Sequence, residues 1–164
     1  MKSASLAELK KELKHLEKEE LETILLQVVK YKKENKELLS YLLFDADYEE
    51  GYIAKVKEAM EQEFQEMNTG NLRAVKKSMQ RILRIVKKYI GFSLQKATET
   101  ELLISYCYLV LRLPVRYLSV TVIRNMLERN YKAILKSIEK LEEDLRTDYN
   151  EDIERIQKEI EKIR

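Results

Sequence analysis

Apolar side chains recur every three to four positions from Leu6 to Ile163, almost without interruption. That spacing places them on one face of successive α-helices and is incompatible with the two-residue alternation of strands. Leu6, Leu9, Leu13 and Leu16 form the first stripe, opened by Ser5 and Glu8 in capping-box spacing. Leu21, Ile24, Leu25, Val28 and Val29 form the second, read as inward-facing, after a glutamate-rich first turn suited to the helix dipole. Tyr31 to Lys36 reads as a break, and Leu38 to Leu43 as a short third helix. Asp45 or Asp47 is the expected cap of a fourth helix carrying Ile53, Val56, Met60, Phe64 and Met67.

Breaks are few because the chain has 3 glycines and 1 proline in 164 residues. That scarcity excludes Gly/Ser linkers, collagen and Pro-rich architectures, and an all-β fold would need many more turn residues. Asn68-Thr69-Gly70-Asn71 is the clearest turn. A fifth helix is expected over Leu72–Ile90, closed by Gly91. A sixth starts at Thr98 or Thr100 and ends before Pro114. Val120 to Ile123 favours strand locally, but the spacing of Ile123, Met126, Leu127, Ile134 and Leu135 predicts a helix from about Ser119. The last stripe, Leu141, Leu145, Tyr149, Ile153, Ile156, Ile160 and Ile163, reads either as one long arm or as two helices with a fresh start near Asp148. The expectation is one all-α domain over 1–164, with seven or eight helices in a multi-helix bundle or a short α-solenoid of antiparallel helix pairs. Its helix at about 149–164 is free to project.

The run Leu9-Lys10-Lys11-Glu12-Leu13-Lys14-His15-Leu16-Glu17-Lys18-Glu19-Glu20-Leu21 resembles the start of an uncharacterised bacterial family of small all-helical proteins. The likeness continues through Lys87-Lys88-Tyr89-Ile90, Leu102 to Val110 and Tyr131 to Ile138, and departs at Pro114 to Thr121. It implies an all-α fold and brings no catalytic or binding residues with it.

The chemistry-bearing residues are sparse. Cys107 is the only cysteine, in the apolar run Leu102 to Leu113, and reads as a core thiol in a reducing, cytoplasmic setting. His15 is the only histidine and reads as solvated, so the Glu-x-x-His pairs of bundle di-iron sites are not available. Gly51, Gly70 and Gly91 are isolated, leaving no phosphate-cradling loop. The ten tyrosines, Tyr106 and Tyr108 among them, read as aromatic core and rim packing rather than as a stacking platform for bases. The reading is therefore a non-enzyme with no catalytic residues, no cofactor and no metal. The most apolar stretch, Leu102 to Ile123, is broken by Arg112, Pro114 and Arg116, so no membrane span is expected.

Net charge is only +2, but its layout is uneven. Residues 45–66 hold 8 acidic and 2 basic side chains, and residues 71–96 hold 8 basic and none acidic. At 100° per residue, Arg73, Lys76, Lys77, Arg81, Arg84, Lys87 and Lys88 share one arc of about 140°. Such a stripe suits nucleic-acid phosphates, another polyanion or an acidic partner. The competing structural reading pairs it with Glu58, Glu61 and Glu66 of the preceding acidic helix. The leading functional expectation is a helical protein-interaction or scaffold module, with a protein partner or a homodimer. Ile153, Ile156, Ile160 and Ile163 are the candidate self-association residues, unless they pack inside the same chain. Nucleic-acid or polyanion binding through the helix at 72–90 is the alternative.

Overall fold

The computed structural model describes residues 3–163 and is all-α. Among the described residues there are ten α-helices, eight of them seven residues or longer, and no strand. They are α1 (Leu6–Leu13), α2 (Lys18–Tyr31), α3 (Lys33–Ser40), α4 (Glu49–Gln65), α5 (Leu72–Ser93), α6 (Lys96–Leu111), α7 (Val115–Leu118), α8 (Thr121–Ile138), α9 (Glu143–Asp148) and α10 (Asn150–Lys162). A π-helical turn, Tyr41–Asp45, follows α3. The chain divides into two compact units, residues 1–44 and 45–164, a division the periodicity does not mark.

In the first unit, the Ser5 and Glu8 capping box forms as its spacing predicts. The Ser5 amide donates to the Glu8 carboxylate at 2.7 Å, and the Glu8 amide donates to Ser5 Oγ at 3.3 Å. Glu17 and Glu20 repeat the device at the start of α2. The break after α2 narrows to one extended residue, Lys32, with φ −141° and ψ 145°. α2 and α3 pack together, and Asn35 Nδ2 donates to the Val28 carbonyl at 2.7 Å. The stripes expected to face inward are not sealed from solvent: no residue from 3 to 40 is buried, and Leu16, Val29, Leu38 and Leu39 are only half-buried.

The second unit is organised around α6, with α4, α5, α8 and α10 laid against it. α6 is apolar on all sides, so it has no single hydrophobic face and belongs in the centre of a bundle. Leu102, Leu103, Ile104, Tyr106, Cys107, Leu109 and Val110 are all buried. The wide apolar arc of α5 suggests a central position for that helix, but α6 takes the centre and α5 buries Val75, Met79, Ile82 and Val86 against one side. The buried Tyr106 hydroxyl joins three helices, donating to the Met79 carbonyl at 3.2 Å with Met126 Sδ 2.7 Å away. Burial pushes the Cys107 thiol up to about 12, so it is an inert core thiol.

Several boundaries differ from the periodicity. α5 runs through Gly91 to Ser93, because Phe92 packs edge-on against the Tyr89 ring at 5.6 Å and Ser93 Oγ donates to Glu49 at 3.0 Å. The left-handed residue closing it is Leu94, at φ 58°. α6 then begins at Lys96, placing Thr98 and Thr100 inside the helix rather than at its cap. Both are buried. Thr98 donates to the Glu49 carboxylate, while Thr100 donates to the Lys96 carbonyl at 2.8 Å and lies 2.9 Å from Ser137 Oγ. Asp45 and Asp47 do not cap α4; Tyr48 precedes it, and Asp45 pairs with Lys55 at 2.5 Å. Val120 is extended only as the residue before α8. The final stripe is two helices meeting at Tyr149, as a fresh start near Asp148 predicts. α10 does not project: it packs on α8 and α6.

Candidate functional site

The site begins with the register of α5. Asn71 caps the helix by accepting from the Ala74 amide at 2.9 Å, which fixes the rotation of the 22 residues that follow. Val75, Met79, Ile82 and Val86 face the core, so the helical period turns the cationic arc away from it, toward solvent. Arg73, Lys77, Arg81, Arg84 and Lys87 are exposed, and Lys76 and Lys88 are half-buried.

Masking by the acidic helix is slight. Arg81 pairs with Glu63 of α4, and Lys88 lies over the Tyr89 ring at 4.4 Å. The three carboxylates expected to cover the stripe are elsewhere. Glu61 takes a bidentate bond from Arg112 at 2.5 and 2.8 Å, which with a bond from Gln65 holds its carboxyl below the usual range. Glu66 accepts from Gln62 within α4, and Glu58 is exposed with no ion pair among the described residues. The reason is rotational: α4 turns Glu61 toward the C-terminal end of α6, where the Arg112 guanidinium also stacks over Phe64 at 4.8 Å. Arg73, Lys76, Lys77, Arg84 and Lys87 consequently have no carboxylate partner among the described residues.

Beside the stripe lies a groove of about 420 Å³ between α5 and α8. Its apolar lining comes from Leu83 and Ile90 of α5, Leu103 of α6, and Val122, Met126 and Ala133 of α8. Lys87 and Arg129 line it from opposite helices, with Gln80 and Asn125 as neutral polar neighbours. Its one carboxylate, Glu99, is already paired with Lys96. Asn130 is buried and satisfied in part by donating to the Met126 carbonyl at 2.7 Å. The result is an apolar slot with a cationic rim that continues into the open stripe through Arg84 and Lys76. The sequence reads Met126 only as part of the helical stripe and does not single out the groove face of α8, although Val122, Met126, Arg129 and Ala133 share it.

The proposed self-association residues separate. Ile156 and Ile160 are buried within their own chain, and Ile153 and Ile163 are half-buried. Tyr108 of α6 donates to Asp152 of α10 and helps hold that packing. Two of the four isoleucines are therefore used internally. His15 is exposed in the turn after α1. Among the described residues there is no group of three or more His, Cys, Asp or Glu side chains placed to hold a metal ion, and no helix is long and apolar enough to cross a membrane. Compared with protein-family models, curated proteins and solved structures, the chain matches none, so the geometry alone carries the functional argument.

Proposed function

We propose that this chain is a non-enzymatic interaction module that holds an acidic amphipathic helix of a protein partner in the α5–α8 groove. The observation that carries this reading is the pairing of an apolar floor with cations on both walls, Lys87 and Arg129. An amphipathic helix buries its apolar stripe in such a slot, and glutamates flanking that stripe meet the rim. Met126 gives the floor an adaptable surface. The unpaired cations of α5 extend the positive field beyond the groove and favour encounter with an acidic partner over a basic one.

A synthetic helical peptide with leucines at i, i+3, i+4 and i+7 and flanking glutamates tests this by fluorescence anisotropy. Binding is expected to weaken at least tenfold in the Lys87→Glu/Arg129→Glu variant, and also with a scrambled peptide of the same charge. Equal binding of the scrambled and patterned peptides would remove the groove from the argument.

The second reading, a polyanion on the stripe alone, rests on the five cations without carboxylate partners. It predicts salt-sensitive retention on a generic DNA duplex that Arg73→Glu/Lys77→Glu weakens and a groove variant, Leu83→Ser, leaves unchanged. Arg81 is a poor choice for that test because Glu63 already engages it.

A further inference from the structure

Among the polar side chains that line the α5–α8 groove, one is buried. Gln80, Lys87, Asn125 and Arg129 are exposed and Glu99 is half-buried, whereas Asn130 is 6% exposed. Asn130 occupies the buried register of α8 together with Ile123, Leu127 and Ile134. An aliphatic side chain in that register carries no cost for losing water, and an amide does unless its groups are paired.

Asn130 is paired at one end only. Its Nδ2 donates to the Met126 carbonyl at 2.7 Å, and because a carbonyl can only accept, this bond fixes which end of the amide is which. Oδ1 accepts no hydrogen bond among the described residues, and it is not sealed from solvent, so it opens onto the groove that Asn130 lines. An occupant that covers this oxygen without bonding it would strand a buried acceptor.

The chemistry of the lining narrows what can bond it. A lysine or arginine donor would meet the like charges of Lys87 and Arg129. A hydroxyl or an amide brings acceptor atoms of its own, which would be buried against Leu83, Leu103 and Met126. The indole of tryptophan donates and accepts nothing, and its rings supply apolar area to the same floor.

We infer that Asn130 is the specificity-determining residue of the groove, selecting a partner helix with a tryptophan on its apolar stripe whose indole Nε1–H donates to Asn130 Oδ1. The inference rests on the α5–α8 groove being the helix site proposed above, and names the anchor that it reads.

Two peptides on the glutamate-flanked leucine pattern test it, one with tryptophan at the central leucine and the other with benzothienylalanine. They share one ring frame and differ in carrying N–H or sulfur. The chain has no tryptophan, so indole emission reports the peptide alone. The tryptophan peptide is expected to bind the original chain about tenfold more tightly than its sulfur analogue, with its emission shifted to the blue. This comparison requires no variant to fold. Asn130→Leu should weaken the tryptophan peptide alone and remove the difference, while Lys87→Glu/Arg129→Glu should weaken both peptides and keep it. Equal affinities for the original chain, with both peptides ahead of a scrambled one, would overturn the inference and leave the groove reading standing; binding of neither peptide would end both. An emission that does not shift, or a tryptophan preference that persists in Asn130→Leu, would also overturn it.

Discussion

α2 and α6 are both rich in leucine, isoleucine and valine, yet one is bathed in solvent and the other lies in the centre of a bundle. α2 carries most of its apolar residues on one face and mainly polar residues on the rest, with Leu26 among them. Among the described residues its one extensive neighbour is α3, a short helix with four lysines or glutamates in its first turn and a half. α6 is apolar all round, and four helices converge on it. Burial thus follows the supply of complementary faces rather than the count of apolar residues. A one-faced helix needs a single partner, and in the first unit none of sufficient area is provided by the unit itself. A helix without a polar face needs covering on all sides, and the second unit is what covers α6.

The sharpest way to break this comparison is to remove the same volume from each helix. Leu102→Ala in α6 leaves a cavity in a close-packed core and should lower stability by about 2–5 kcal/mol in chemical denaturation. Ile24→Ala in α2 removes a side chain that is 40% exposed and should cost under about 1 kcal/mol at a concentration where the chain is monomeric. Similar losses at both positions would mean that the two units share one cooperative core.

Alkaline pH probes the same contrast through tyrosine. Burial first, and then the Asp152 carboxylate, pushes the Tyr108 phenol up to about 12. Burial, followed by the nearby Glu101 carboxylate, does the same for Tyr149. Burial also raises Tyr106 from its ordinary value of 10. Because the folded-state values exceed the unfolded ones, these groups stabilise the fold fully below pH 10, and the contribution is lost as pH rises toward 12. Circular dichroism across that window should show the second unit unfolding. Loss of helicity in the second unit well below pH 10 would contradict the burial assigned to these rings.

A smaller effect is expected at the link between α5 and α6. Leu94 is 80% exposed and takes a left-handed conformation that disfavours a side chain. Leu94→Gly should raise the stability of the second unit by about 0.5–1 kcal/mol, the relief at the cap being offset in part by the freer unfolded chain. A thermal melt shifted downward would show that the leucine side chain makes contacts that outweigh its strained backbone.

Local signals account for much of the architecture. The Ser5–Glu8 capping box, the turn at Asn68 to Asn71 and the restart near Asp148 were legible because each depends on residues within a few positions of one another. The end of α5 was not legible. Gly91 has the chemistry of a stop, but Phe92 and Ser93 find Tyr89 and Glu49, and those contacts carry the helix three residues further. Thr98 and Thr100 look like caps, but Glu49 and Ser137 satisfy them inside the bundle. In the candidate site, the cationic stripe could be read from the helical period. That α4 masks it only through the Arg81–Glu63 pair could not, because that depends on Arg112 drawing Glu61 to another helix.

Taken alone, the amino-acid sequence determined that the chain is helical, where most helices lie, and that one of them carries seven cations on a single arc. Those properties follow from the 3.6-residue period and from capping chemistry, both of which act between near neighbours. Only the tertiary structure decided that α6 is central, that α10 spends Ile156 and Ile160 on its own chain, and that Lys87 and Arg129 share one groove. Each of these depends on which faces meet across separations of tens of residues, and the periodicity of a single helix contains no information about that choice.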